Sequence, residues 1–196
     1  MPNICIENMS FAYEDRAVIE NLDLNFGYGQ AYRIAGPNGI GKTTLLKLIH
    51  ADLRPDSGSV RVQSHAEDNV FLSDKNRLDP HLSFNDHLTF LKSVKQLKCP
   101  EAFLAQLVEQ LHMPTYRDTV TADLSLGTQK KLSFILALAQ KPRILILDEF
   151  FSGIDSAGMQ VICGYLNAFV EEGNTLLFVT HADEKLGCLQ YKTMSF

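Results

Sequence analysis

Residues 36–43 read Gly36-Pro37-Asn38-Gly39-Ile40-Gly41-Lys42-Thr43, a match to the pattern G-x-x-x-x-G-K-[ST]. Each part has a chemical reason. The glycines let backbone N–H groups turn inward and cradle phosphate oxygens. Lys42 supplies a point charge to the β and γ phosphates, and the Thr43 hydroxyl can ligate magnesium. The flanks agree with the loop. Residues 30–35 (QAYRIA) alternate and read as a strand, and residues 42–50 (KTTLLKLIH) carry apolar side chains at helical spacing. The loop therefore joins a strand to the N-terminus of a helix, where the aligned peptide dipoles favour an anion.

The rest of the chain extends this α/β pattern. Strands are predicted at residues 4–9, 21–26, 59–63 and 69–72, with turns at 27–29 and 54–58. Helices are predicted at 85–97, 100–111 and 126–139. In the second of these, Pro100 suits a first helical position, and Phe103, Leu104, Leu107, Val108 and Leu111 repeat at helix spacing. The apolar run at 144–147 reads as a strand buried on both faces, residues 159–171 as a helix closed by Gly173, and 175–179 as a last buried strand. The expected organisation is one domain over residues 1–196 with a helical insert at about 75–140.

Bulk properties narrow the function classes. Apolar residues make up 45% of the 196, charged residues 21%, and the net charge is −5. Without a polybasic run there is no electrostatic reason to expect nucleic-acid binding. No apolar run approaches the length that spans a bilayer and no signal peptide is evident, so direct membrane insertion is not expected and the chain is assigned to the cytoplasm. The four cysteines (Cys5, Cys99, Cys163, Cys188) are scattered without a C-x-x-C, and buried reduced thiols are expected rather than a disulfide or metal site.

Two further signals accompany the loop. Residues 144–149 (ILILDE) form an apolar strand ending in Asp148 and Glu149, and ligands of open α/β sheets bind at the carboxyl ends of strands. Asp148 is placed to hold magnesium through water, and Glu149 to orient or deprotonate an attacking water. Some twenty residues earlier stands Leu124-Ser125-Leu126-Gly127-Thr128-Gln129, and a lone His181 follows the last strand. The order phosphate loop, L-S-x-G, apolar strand with Asp-Glu, then His resembles the nucleotide-binding domain of the ABC (ATP-binding cassette) ATPases over nearly the whole chain. The L-S-x-G element is the specific part, since small-molecule kinases and GTPases with a phosphate loop lack it.

The resemblance implies a P-loop NTPase core with a mainly parallel sheet, an N-terminal antiparallel β part and a helical subdomain insert. It implies ATP and Mg2+ as ligands. ATP would contact Tyr13, as the aromatic stacked on adenine, and Gly36, Pro37, Asn38, Gly39, Ile40, Gly41, Lys42, Thr43 and Thr44. Glu149, His181 and Lys42 would be catalytic, with His181 at the γ-phosphate. Thr43 and Asp148 would hold the metal. Ser125, Gly127 and Asp155 would act across a head-to-tail pair, with two ATPs sandwiched between phosphate loop and L-S-x-G. Asp74 aligns with a glutamine that senses magnesium and γ-phosphate, making it a third metal candidate. Leu126 and Thr128 replace a glycine and a glutamine, and Phe150 replaces a proline, a change expected to bear on loop shape.

With the core catalytic positions filled, the resemblance implies an active ATPase: the energy-coupling subunit of a transporter, peripheral at the cytoplasmic face of the inner or plasma membrane. Its partners would be a transmembrane permease subunit and a second cassette, most simply a copy of itself. The short form is similar to exporter-type subunits, including the haem-exporter ATPase of cytochrome c maturation. The alternative is a soluble single-cassette ABC ATPase such as an iron–sulfur assembly factor. A phosphate-loop kinase leaves residues 124–129 and His181 unexplained.

Overall fold

The computed structural model describes residues 3–74, 78–181 and 186–195, so residues 75–77, the expected start of the insert, lie outside the described residues. A five-stranded sheet is built from β3 (Gln30–Ala35), β5 (Asn69–Ser73), β6 (Ile144–Asp148), β7 (Thr175–Val179) and β8 (Lys192–Ser195). Its order is β5-β6-β7-β3-β8, with every neighbouring pair parallel. Successive side chains of a strand point to opposite faces. Leu145 and Leu147 of β6, with Leu176 and Phe178 of β7, enter a core shared with the helices. Ile144, Ile146, Leu177 and Val179 enter a second core on the other face. Both faces are covered, and this is why residues 144–147 and 175–179 show no polar alternation.

The second core is closed by an antiparallel sheet, β2-β1-β4, formed by β1 (Ile4–Tyr13), β2 (Arg16–Phe26) and β4 (Ser57–Val62). Ile4, Ile6, Met9 and Phe11 of β1 pack with Leu45, Leu46, Leu48 and Ile49 of α1 (Lys42–His50) and with the parallel sheet. Both β1 and β2 run longer than the expected 4–9 and 21–26. Register shifts between Ile6 and Met9 and again near Phe11, with Asn8 at φ 45°, break the two-residue period that sequence reading relies on.

The helices α2 (Phe84–Ser93), α3 (Glu101–Gln110) and α4 (Leu126–Ala139) fall between β5 and β6 in the chain, and α5 (Ser156–Glu171) between β6 and β7. Phe84, Leu91, Leu107 and Val108 pack into one cluster with Leu132, Phe134 and Ile135 of α4. A capping box opens α2: the Asp86 N–H donates to Ser83 Oγ while the Ser83 N–H donates to the Asp86 carboxylate. The helix ends at Ser93 rather than 97, with Lys95 at φ 58°. Pro100 does not take the first helical position. Its ψ of 145° is extended, so it caps α3, which starts at Glu101. Gly173 ends α5 as expected, at φ 90° with its N–H donating to the Val170 carbonyl.

Two further features depart from the sequence expectation. β8 was not foreseen. Its four residues (KTMS) are mostly polar, as an edge strand allows, and it adds in parallel to β3. Cys163 and Cys188 are not reduced thiols but a disulfide, with Cα atoms 5.8 Å apart across 25 residues of sequence. The chain returns along α5 after β7, and Asn167 fixes that return: its Nδ2 donates to the Cys188 carbonyl and its Oδ1 accepts from the Gln190 N–H. Cys5 and Cys99 are free and half-buried rather than buried.

Candidate functional site

The phosphate loop leaves β3 at Ala35 and enters α1 at Lys42. Gly39 (φ 79°) and Gly41 (φ 114°) occupy the left-handed region that costs other residues dearly, and Gly41 is the N-cap of α1. The first turn of α1 holds no acidic side chain to neutralise the positive helix end. Lys42 is nearly buried, and its ammonium arches over its own loop, donating to the carbonyls of Gly36 (2.8 Å) and Pro37 (2.9 Å). The next side chain, Thr43, donates from Oγ1 to the Asp148 carboxylate at 3.0 and 3.2 Å. Asp148 is the buried last residue of β6. A hydroxyl beside a carboxylate is an all-oxygen donor pair of the kind magnesium prefers, and it suits an ion that keeps most of its water.

Glu149 follows at φ 52°, a conformation that costs a non-glycine residue on the order of 1–2 kcal/mol. Its N–H donates to the Val179 carbonyl, which ties the turn after β6 to the end of β7. Its carboxylate accepts the His181 backbone N–H at 3.2 Å and lies 3.4 Å from His181 Nε2. The strained turn thus aims Glu149 at His181, two residues beyond the end of β7. Tyr13 is half-exposed at the edge, its ring braced edge-on by Phe11 with centroids 4.9 Å apart and an interplanar angle of 88°. Tyr13, the loop residues Asn38 to Thr44, Glu149 and His181 line one cleft of about 860 Å³. Gly36 and Pro37 join it through Lys42, and Asp148 through Thr43. Arg16 also lines it, a cation that sequence reading passed over because it opens a strand with no motif around it.

Ser125, Gly127 and Asp155 do not line this cleft; they sit together where α4 and α5 begin. Ser125 caps α4, its Oγ accepting the Thr128 N–H, while Leu126 beside it is well exposed. Gly127 has a reason within its own chain: a Cβ there would lie 2.6 Å from the Gly153 carbonyl oxygen. Asp155 caps α5 by accepting the Gly158 N–H at 2.7 Å and pairs with Lys131. The Lys131 hydrogen bond, then the Gly158 N–H, hold its carboxyl below the usual carboxylate range. A depressed value in the folded state means the stabilisation is present above the ordinary carboxylate range and is lost as pH falls below it. Asp155→Ala is expected to cost about 1 kcal/mol near neutral pH, most of it from the cap because the Asp155 end of the ion pair is exposed. Urea denaturation at several pH values should show the gap between variant and parent narrowing on acidification.

Asp74 is the third metal candidate that the resemblance implies. It does not line the cleft of the phosphate loop but the neighbouring one, with Leu126, Lys130 and Phe150. Its Oδ1 lies 2.5 Å from the ammonium of Lys130. Phe150 does more than shape a loop: it is buried and packs on Phe134 and Phe151 with centroids 6.2 and 5.8 Å apart. Lys130 and Ser152 were also missed. Lys130 donates to the Ser152 carbonyl and to Ser152 Oγ, each at 2.8 Å. The signal was a lysine one turn before Phe134, on the apolar side of α4.

Comparison with known proteins bears on this site. A protein of Bacillus subtilis (strain 168), "Uncharacterized ABC transporter ATP-binding protein YhaQ", is 29% identical over 189 residues, covering 92% of this chain. The chain spans only 63% of that relative's length, under two thirds of it. The "Cytochrome c biogenesis ATP-binding export protein CcmA" of Haemophilus influenzae is 28% identical over 205 residues, covering 96% of each chain. Among solved structures, "Structure of ATP binding subunit of ABC transporter" superposes with a TM-score of 0.83 at 20% identity, over 93% of this chain and 81% of that one, and speaks to the fold alone. A family model described as "ABC transporter" matches residues 19–152, which hold the phosphate loop, the L-S-x-G element and the Asp148–Glu149 pair, and the chain belongs to that family.

Proposed function

We propose that this chain is the ATP-binding and ATP-hydrolysing subunit of a transporter and drives transport through a separate transmembrane permease subunit. The observation that supports it most is one cleft that joins Lys42, the Thr43–Asp148 pair and the Glu149–His181 pair. In this reading the loop amides of residues 36–44 and Lys42 bind the phosphates of ATP, and Tyr13 stacks on the adenine. Glu149 orients and deprotonates the attacking water, and His181, already bound to Glu149, contacts the γ-phosphate. Thr43 and Asp148 hold Mg2+, which when bound neutralises charge on the phosphates. The chain's own part is positioning and charge stabilisation, as phosphoryl transfer requires.

Two copies pair head to tail, with Ser125 and Gly127 of one meeting the γ-phosphate held by the other and Asp155 beside that contact. The exposed Leu126 and the cap geometry of Ser125 leave this corner free to meet a partner. The γ-phosphate adds contacts that only the closed pair makes, so hydrolysis opens it. The helical insert at about 75–140 is the docking face for the permease subunit, which keeps the chain peripheral at the cytoplasmic face of the membrane. Among the described residues no helix is long and apolar enough to cross a membrane.

Ser125→Arg tests the pairing. It places an unpaired guanidinium in the closed interface, a desolvation cost of several kcal/mol, and leaves the cleft untouched. ATP binding should stay at the parent value while the ATP-dependent dimer disappears from sedimentation profiles. The transporter reading itself is tested by purifying the tagged chain from detergent-solubilised membranes with mass spectrometry of what accompanies it. A stoichiometric multi-helix membrane protein is expected. Recovery with soluble proteins alone would contradict the reading.

A further inference from the structure

Lys130 is a buried cation in α4, the helix that Ser125 caps, its side chain only 7% exposed. A buried ammonium must be matched by acceptors, because an unmatched charge away from water is very costly. Here the acceptors come from two other segments. Asp74, one residue beyond β5, supplies the counter-charge at 2.5 Å. The turn after β6 supplies the Ser152 carbonyl and Oγ at 2.8 Å, and the Glu149 carbonyl stands at 3.5 Å. Ser152 Oγ in turn reaches the Glu149 carbonyl at 3.3 Å and Asp74 Oδ2 at 3.5 Å. The turn bound by this ammonium is the one that holds Glu149 at φ 52°. A second contact supports the same junction: Gly127, one helical turn before Lys130, lies so close to Gly153 that no Cβ fits between them.

We propose that Lys130 is a positioning residue for ATP hydrolysis: its ammonium clamps the turn that carries Glu149, and Asp74 is its counter-ion rather than a magnesium ligand. The proposal rests on the ATPase reading above. Lys130 does not line the phosphate-loop cleft and acts through the backbone of Glu149. A strained turn needs over-determination by its surroundings, and this clamp supplies it. The clamp also makes the beginning of α4, the end of β5 and the Glu149 turn one mechanical unit. Displacement of the helix that carries Ser125 is thereby transmitted to the base.

The test compares Lys130→Met, Asp74→Asn and the double variant with the parent, in ATPase assays that vary ATP and magnesium separately. Met keeps the length of the side chain without the charge, and Asp74 is 46% exposed, so its carboxylate can be solvated once the lysine is gone. Urea unfolding verifies that each variant folds. The expected result is a kcat lower by about 10- to 100-fold in Lys130→Met, the range for a misplaced reacting group, with KM for ATP and the magnesium dependence both unchanged. Asp74→Asn should lower kcat in the same direction, again with the magnesium dependence unchanged, and the double variant should be no worse than Lys130→Met alone. Lys130→Arg, which keeps the charge, should recover part of the loss. The proposal is overturned if Lys130→Met turns over like the parent, or if Asp74→Asn shifts the magnesium requirement while Lys130→Met does not. A parent chain that never hydrolyses ATP would remove the ATPase reading and this proposal with it, whereas a turning-over parent with indifferent variants removes this proposal alone.

Discussion

Glu149→Gln is expected to reduce phosphate release by about 10²–10⁴-fold, the range for loss of a general base, while ATP still binds. The substitution keeps the shape of the side chain and an oxygen that can accept the His181 N–H, now received by Glu149 at 3.2 Å. It removes the ability to take a proton from water, along with the charge that faces His181 Nε2. With the γ-phosphate uncleaved, the closed pair should persist, and the variant should sediment as an ATP-dependent dimer where the parent cycles back to monomer. Single-turnover assays and sedimentation with and without ATP measure the two halves. Turnover within a few-fold of the parent would show that Glu149 is not the base. A variant that stays monomeric at millimolar ATP, both alone and with its membrane partner, would show that ATP does not act as an interfacial ligand.

Lys42→Ala should have an effect of similar size with a different signature. Its ammonium, nearly buried and hydrogen-bonded to the carbonyls of Gly36 and Pro37, is the fixed charge at the centre of the loop. Removing a preorganised charge from a phosphoryl-transfer site costs about 10²–10³-fold in rate. In the proposed site the same charge meets the β and γ phosphates in the ground state, so ATP affinity should fall as well. Titration with a fluorescent ATP analogue, alongside turnover, separates this from the Glu149 variant, which loses rate and keeps affinity. An unchanged affinity would mean that the loop amides alone bind the phosphates.

Much of this site was legible in the sequence because its parts are local. The phosphate loop, its strand and its helix are contiguous, and the turn glycines sit where the backbone needs φ above zero. Asp148 and Glu149 end an apolar run whose burial on both faces erases alternation, itself a sign of a central parallel strand. What escaped was carried by long-range partners. Residues 16–20 belong to β2, yet register shifts on either side of Phe11, where β2 carries the extra residues, hide the period. β8 has four mostly polar residues and is a strand only because β3 offers it an edge. The Cys163–Cys188 bridge depends on how the chain turns back along α5. Asp74 aligns with a metal-sensing position of the family, and nothing near it in the sequence announces its partner Lys130, 56 residues further along the chain. A lysine on the apolar side of a helix was the one local trace of this contact.

The cleft between the phosphate loop and the end of β6 is proposed to hydrolyse ATP when two chains close on it. The most direct measurement is phosphate release by the purified chain across a range of protein concentrations, with magnesium or with a chelator in its place. Release should require magnesium and rise per chain as concentration drives pairing. A protein that binds ATP but shows no magnesium-dependent release at any concentration, with or without its copurified membrane partner, would contradict it.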